Sequence, residues 1–220
     1  MYYTIEFEND PEFATAPAHD IYVTDVLNPT LFDLTTFAPT RVKVGAKVVE
    51  LDGSKNGSVT FSMLPEIYAI AQLDWSLDET TGEVSWHISS LDPMTIEPTE
   101  ELTSGVLPVN TDGNGTGELS FDIQLMPNLP DGTKVENKAS IVFDENAAIT
   151  TPIWVNTVDS RPKGDVNGDG KVTVTDAALV LEKAHGNTLE GFIGSAADMN
   201  GDGKVTEKDA VLILDMILTQ

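Results

Sequence analysis

From Tyr2 to about Asp159, apolar and polar residues alternate in short runs broken by Pro, Gly, Asn and Asp. A period of two residues is that of half-buried antiparallel strands, because successive side chains of an extended chain point to opposite faces. The runs that carry it span residues 2–8, 20–27, 41–51, 58–64, 66–77, 83–91, 117–126, 136–144 and 151–158. Residues 71–90 predict a hairpin turning through Glu79-Thr80-Thr81-Gly82, with Trp75 and Trp86 as core or cross-strand aromatics.

Beyond Gly164 the period lengthens. TDAALVLEKAHG and EKDAVLILDMIL have helical length and spacing, and each carries an aspartate in its first turn, where the helix dipole favours a negative charge. The expected organisation is mainly β plus small α: a β domain over residues 1–159, a linker at 160–163 and an α-containing domain over 164–220. Eight or nine short strands with proline-bearing connections point to a β-sandwich of immunoglobulin-like type.

Composition narrows the function classes. The net charge of −24 opposes binding to nucleic acid or anionic membrane and favours cations. No cysteine is present, so disulfide and thiolate chemistry are excluded. No apolar run reaches the roughly 18 to 20 residues of a membrane span. The opening MYYTIEFEND lacks the pattern of a signal peptide and begins directly as a strand, so the expectation is a piece of a longer chain.

The most informative stretch is DVNGDGKVTVTD, Asp165 to Asp176, which returns as DMNGDGKVTEKD, Asp198 to Asp209. Nine positions of the twelve agree, and the copies start 33 residues apart. A hard divalent cation such as calcium takes roughly six to eight oxygens, and a loop of this length can wrap one when positions 1, 3, 5, 7, 9 and 12 face inward. The first copy offers Asp165, Asn167 and Asp169 by side chain, Lys171 by its carbonyl, Thr173 directly or through water, and Asp176 last. The second offers Asp198, Asn200, Asp202, Lys204, Thr206 and Asp209. Gly170 and Gly203 fall at position 6, where the turn is sharpest. Position 12 is Asp where the usual motif has Glu, which shortens the bidentate ligand by one methylene. Val172 and Val205, at position 8, are expected to pair in a short ladder that couples the two loops.

An ordinary EF-hand has a helix on both sides of its loop. Asp-Ser-Arg-Pro-Lys-Gly before Asp165 cannot form one, and TLEGFIGSAA before Asp198 allows only a short helix. Two loop-then-helix (F-hand) units at this spacing resemble a type I dockerin over Gly164 to Gln220. The resemblance implies two bound Ca²⁺ ions bracing two antiparallel helices, one face of which binds a cohesin on a scaffoldin or cell-surface protein, as in cellulosome assembly. It places the cohesin-reading positions at Val174, Thr175, Leu181 and Glu182 in the first unit, and at Glu207, Lys208, Leu214 and Asp215 in the second. Many dockerins carry small hydroxylated pairs in both units and dock in two orientations. Val174-Thr175 and Glu207-Lys208 are chemically unlike, so a single orientation is expected here. Leu179, Val180, Leu212, Ile213 and Ile217 are expected to form the core between helices.

YYTIEFEND, HDIYVTDVLN, SSLDPMT and the segment from Leu129 to Asp159 resemble an immunoglobulin-like repeat of large secreted bacterial surface proteins. That resemblance implies a spacer or adhesion role, a secreted or cell-surface location and no catalytic set. His19, His87 and His185 lie on separate segments with no spacing for a metal site or triad. Glu6, Glu8, Asp10, Glu12, Asp78, Glu79 and Glu83 could supply acid pairs, but abundant carboxylates do not define one. Neither GxSxG, P-loop nor HExxH occurs. The run Asn110 to Glu118 reads as a hairpin loop. Tyr2, Tyr3, Trp75, Trp86 and Trp154 read as core, with a polysaccharide-binding platform as the alternative. The expectation is a non-enzymatic binding protein.

Overall fold

The computed structural model describes residues 1–99, 101–159 and 161–219. The chain divides into two compact units, Met1–Leu129 with Lys134–Asn156, and Pro130–Thr133 with Thr157–Gln220.

The first unit is built from sheets. One has the order β1 (Tyr2–Glu8), β8 (Thr116–Leu125), β3 (Phe32–Val44), β4 (Lys47–Glu50). A second has the order β11 (Ile149–Thr150), β10 (Ala139–Phe143), β2 (Asp20–Val26), β7 (Glu83–Leu91), β6 (Ile70–Asp78), β5 (Gly57–Ser62). A two-stranded ribbon pairs β12 (Trp154–Thr157) with β9 (Lys134–Asn137). Alternation decides which side chains enter the core: in β1 Tyr3, Ile5 and Phe7 are buried while Tyr2, Thr4, Glu6 and Glu8 face out. The two larger sheets meet through aromatic contacts, Phe37 of β3 on Trp86 of β7 and Phe7 of β1 on Phe143 of β10, with ring centroids 6.2 Å apart in each case. This is the layered arrangement of a β-sandwich.

The β6–β7 hairpin forms as expected, in register from Ile70↔Leu91 to Asp78↔Glu83. Its turn needs glycine at position 82: φ is +78° there, and a Cβ would stand 1.9 Å from the Leu27 carbonyl oxygen. Trp75 and Trp86 face each other across the hairpin with their rings stacked, and both are buried.

Several expected boundaries change. Residues 41–51 are not one strand, because Gly45 turns the chain and Val44 pairs with Lys47, closing a hairpin between β3 and β4. β3 also extends back through Phe32–Thr40, where Pro39 obscured the strand pattern. The proline is tolerated because it lies at an irregularity in the β3–β8 register, and β4 pairs only with Arg41–Val44. The run at 136–144 divides at Lys138, its halves joining different sheets, and the two-residue β11 was not anticipated. The segment Asn110–Gly115 is not a hairpin loop, since β7 and β8, which precede and follow it, lie in different sheets. Its turns close on Asn110 Oδ1, which accepts the Gly113 and Gly115 N–H groups, and on Asn114 Oδ1, which accepts that of Thr111. Tyr3, Trp75 and Trp86 are core, whereas Tyr2 and Trp154 are exposed, contrary to the core reading.

The second unit carries α1 (Val174–Ala184), α2 (Gly194–Ala197) and α3 (Glu207–Leu218). Its core is small: Val166, Ala177, Val180, Ala196, Ala197, Ala210 and Ile213 are buried, with Val172, Leu179, Phe192, Ile193, Met199, Val205, Leu214 and Ile217 half-buried around them. The alanines let α1 and α3 pack closely, and with so few large side chains the apolar contribution to stability is modest. Leu212 does not join this core and is exposed, because it lies about 100° around the helix from Ile213. Among the described residues no helix is long and apolar enough to cross a membrane.

Candidate functional site

Each twelve-residue loop is shaped by its own carboxylates. Asp165 Oδ1 accepts the N–H groups of Gly168 and Asp169 at 2.9 and 3.1 Å, and its Oδ2 accepts that of Gly170 at 2.8 Å. Asn167 Oδ1 accepts from the Asp169 N–H, and Asp169 Oδ1 from that of Lys171, both at 2.9 Å. Asp176 closes the loop across its ends, with Oδ1 taking the N–H groups of Val166 and Asn167 and Oδ2 those of Thr173 and its hydroxyl. The second loop repeats each bond, with Asp198, Asn200, Asp202 and Asp209 in the corresponding places. Gly170 and Gly203 have φ of +83° and +76°, the left-handed turn expected at position 6.

The closing aspartate belongs to two structures at once. Thr173 and Thr206 are the N-caps of α1 and α3, and Asp176 and Asp209 are the third residues of those helices, completing a capping box in each. Loop closure and helix initiation therefore rest on the same carboxylate. Asp165, Asp176 and Asp209 are fully buried, Asp198 is half-buried, and no described Lys, Arg or His forms an ion pair with any of the six loop aspartates. Burial opposes the charge of Asp209, but hydrogen bonds from Thr206, Met199 and Asn200 outweigh it and hold the carboxyl below its usual range.

These donors fit a hard cation by their chemistry: they are all oxygen, and the buried carboxylates have no cationic partner. The side chains do not, however, meet as a cluster of three or more His, Cys, Asp or Glu among the described residues. Asn167 Nδ2 donates to Asp169 Oδ2, and Asn200 Nδ2 to Asp202 Oδ2, so the acidic groups take local hydrogen bonds, and the rest of the oxygen set belongs to Asn, Thr and main-chain carbonyls.

Before Asp165 no helix forms among the described residues, and before Asp198 only the four-residue α2 is present. The expected ladder between Val172 and Val205 is absent: neither lies in a strand, and both side chains turn into the helical core. The first loop is tied to the α2 segment instead, through Gly164 N–H to the Ala196 carbonyl and Ile193 N–H to that of Val166, each at 2.9 Å.

Of the expected partner-reading residues, Val174, Thr175, Leu181, Glu182, Glu207, Lys208 and Asp215 are exposed, while Leu214 is half-buried against the core. The outer stripe of α3 runs Lys208, Val211, Asp215, Leu218, and Val211 and Leu218 are 54% and 82% exposed. At the corresponding positions α1 has Thr175, Ala178, Glu182 and His185. Sequence reasoning missed Val211 and Leu218, although their spacing of seven residues, with Lys208 and Asp215 between, carries the signal. The imidazole of His185 links the helices: Nδ1 is 2.7 Å from the Leu181 carbonyl oxygen and Nε2 is 3.4 Å from Glu207. His19 and His87 lie in the other unit, His87 stacked on Tyr22 and 2.7 Å from Asp20.

Residues 163–218 match the family model of the Dockerin type I domain, and residues 102–157 match that of a Domain of unknown function (DUF7619). No curated protein matches the chain. The first match covers both loops and all three helices, and identifies the C-terminal segment with a calcium-dependent protein–protein interaction module whose general partner is a cohesin. The second covers β8 to β12, and no immunoglobulin-like family model accompanies it.

Proposed function

We propose that the C-terminal unit binds two Ca²⁺ ions and docks in a single orientation onto a cohesin, attaching its parent protein to a scaffoldin or cell surface outside a bacterial cell. The observation that carries this reading is the bond-for-bond repetition of the two loops, each closed by the aspartate that starts the following helix. Asp165, Asn167, Asp169, Lys171, Thr173 and Asp176 hold one ion, and Asp198, Asn200, Asp202, Lys204, Thr206 and Asp209 the other. A bound calcium supplies two positive charges against the three aspartates of its loop. The loop residues then keep α1 and α3 at a fixed separation, so the docking face is ordered before the partner arrives and the ordering cost of association falls.

The two helices support one orientation over two. Exposed Val211 and Leu218 give α3 apolar contact area where α1 presents Ala178 and His185, in addition to the difference between Val174-Thr175 and Glu207-Lys208. Pull-down against a panel of cohesins, with calcium and with excess chelator, tests the reading. Capture in calcium that disappears in chelator is expected, and undiminished capture in chelator refutes it.

In this reading the β unit is an immunoglobulin-like, non-enzymatic spacer. One observation favours a second role. Exposed Tyr2 and Trp154 flank a cleft of about 660 Å³ that is also lined by Thr4, Glu6, Lys138 and Thr151. Rings beside hydroxyl and charged groups suit a saccharide, which offers apolar faces and hydroxyls together. Retention of the β unit on insoluble polysaccharides, lost in Trp154→Ala, is the expected result for this role, and equal retention of the variant excludes the cleft.

A further inference from the structure

The β unit buries a carboxyl group that neither the spacer nor the saccharide reading uses. Asp25 lies in β2, where alternation turns it inward with Ile21 and Val23, and it is 1% exposed. Its Oδ2 accepts a hydrogen bond of 2.7 Å from Nδ2 of Asn137, which ends β9 and is itself buried. Asp25 Oδ1 and Asn137 Oδ1 are both buried without a hydrogen-bond partner. With the carboxylate ionised, these are two acceptors with no donor, an arrangement that a folded interior strongly disfavours.

We propose that Asp25 and Asn137 form a cyclic acid–amide pair holding one shared proton, a latch that fastens β9 to β2 in acid and loosens when the proton leaves. One proton resolves both orphan atoms. Placed on Asp25 Oδ1, it makes that oxygen a donor to Asn137 Oδ1, while Asn137 Nδ2 continues to donate to Asp25 Oδ2. The two planar groups then satisfy each other in a ring of two hydrogen bonds. Loss of the proton leaves the first bond and removes the second.

The surroundings favour the neutral acid. Directly opposite Asp25 stand Val84 on β7 and Ala139 on β10, both apolar. From β1 comes the Tyr3 phenol, whose own ionisation burial disfavours and the nearby Asp25 charge further opposes. Asp25 and Asn137 form part of the floor of the cleft that Tyr2 and Trp154 flank; Glu6 and Lys138 line the same cleft and Glu136 the groove beside it, but none of these three pairs with Asp25. Burial pushes the carboxyl from 3.8 up to about 6, against the downward pull of the Asn137 hydrogen bond and, more weakly, of the nearby Val26 main chain. Because the folded value is raised, the latch contributes fully below pH 3.8 and is lost as pH rises through about 6. The element it controls is the β9–β12 ribbon, anchored by Asn137 and Val135 and carrying exposed Trp154.

The full chain serves for the test. The Asp25 ¹³Cγ resonance is expected to titrate with a midpoint near 6, and a midpoint at the ordinary 3.8 overturns the proposal. Asp25→Asn keeps a donor for Asn137 Oδ1 at every pH. The ratio of its folding constant to that of the wild type, followed through Trp75 and Trp86, is expected to rise about 100-fold from acid to neutral pH. A flat ratio refutes the latch. If the variant does not fold, wild-type amide exchange decides: Val135 and Asn137 should lose protection above pH 6, beyond the intrinsic rate, and unchanged protection overturns it.

Discussion

The two loop-helix units share one internal scaffold and present different outer faces. Asp165 and Asp198 take the same three backbone N–H bonds, and Asp176 and Asp209 close their loops and start their helices in the same way. Outside, Ala178 and His185 on α1 occupy the positions equivalent to Val211 and Leu218 on α3. A duplicated scaffold thus constrains the residues that point into a loop, while those that point away are free to diverge. In the proposed docking, the shared interior holds the unit together and the differing outer faces meet the partner.

The first way to break the symmetry is at the loop interiors. Asp165 is fully buried and Asp198 only half-buried, so Asp165→Ala should cost more of the unit's stability, about 3 kcal/mol against roughly 1–2 kcal/mol. Urea unfolding followed by helical circular dichroism, in calcium, compares them; equal losses would mean that burial of the first aspartate has no energetic weight.

Packing gives a second contrast. Ile213 is fully buried and its neighbour Leu212 is exposed, so Ile213→Ala is expected to destabilise by about 3 kcal/mol and Leu212→Ala by less than roughly 1 kcal/mol. The same denaturation series measures both, and a reversal would show that α3 is rotated from the orientation described.

Recognition is the third. Val211→Glu and Leu218→Asp should weaken cohesin binding by about tenfold or more, because each places charge in an apolar contact, whereas Ala178→Glu on α1 should change it severalfold at most. Calorimetric titration against one cohesin reads the order, and equal effects on both helices would restore the two-orientation mode. The smallest expected effect is at the link between helices: His185→Gln should leave stability within about 0.5 kcal/mol, since both the imidazole and Glu207 are largely exposed.

The loops were legible in the sequence because every candidate oxygen lies within twelve consecutive residues. Turn chemistry of Asx and Gly acts over a few residues, so spacing carries it, and the aspartate expected in the first turn of α1 and of α3 followed for the same reason, whereas its part in a capping box came from the structure. The β6–β7 hairpin was legible too, its turn and its facing tryptophans being local. The β3–β4 region was not. Pro39 is tolerated there through the pairing of β3 with β8, remote in sequence, and the apolar alternation Val42, Val44, Ala46, Val48 runs unbroken across the turn at Gly45 and hides it.

What the sequence alone determined, then, is the set of groups that local backbone geometry brings together: two acidic loops, the helices they start and the hairpin between two tryptophans. Tertiary structure decided everything that depends on which surface is covered. It placed Leu212 outside and Ile213 inside, turned Val172 and Val205 into the helical core instead of a ladder, and exposed Trp154 while burying Trp86. It also set Asp25 against Asn137 across 112 residues of chain. Periodicity states that a residue has a buried or an exposed face available; only packing against distant elements determines which face is used, and only that packing removes water from a carboxylate.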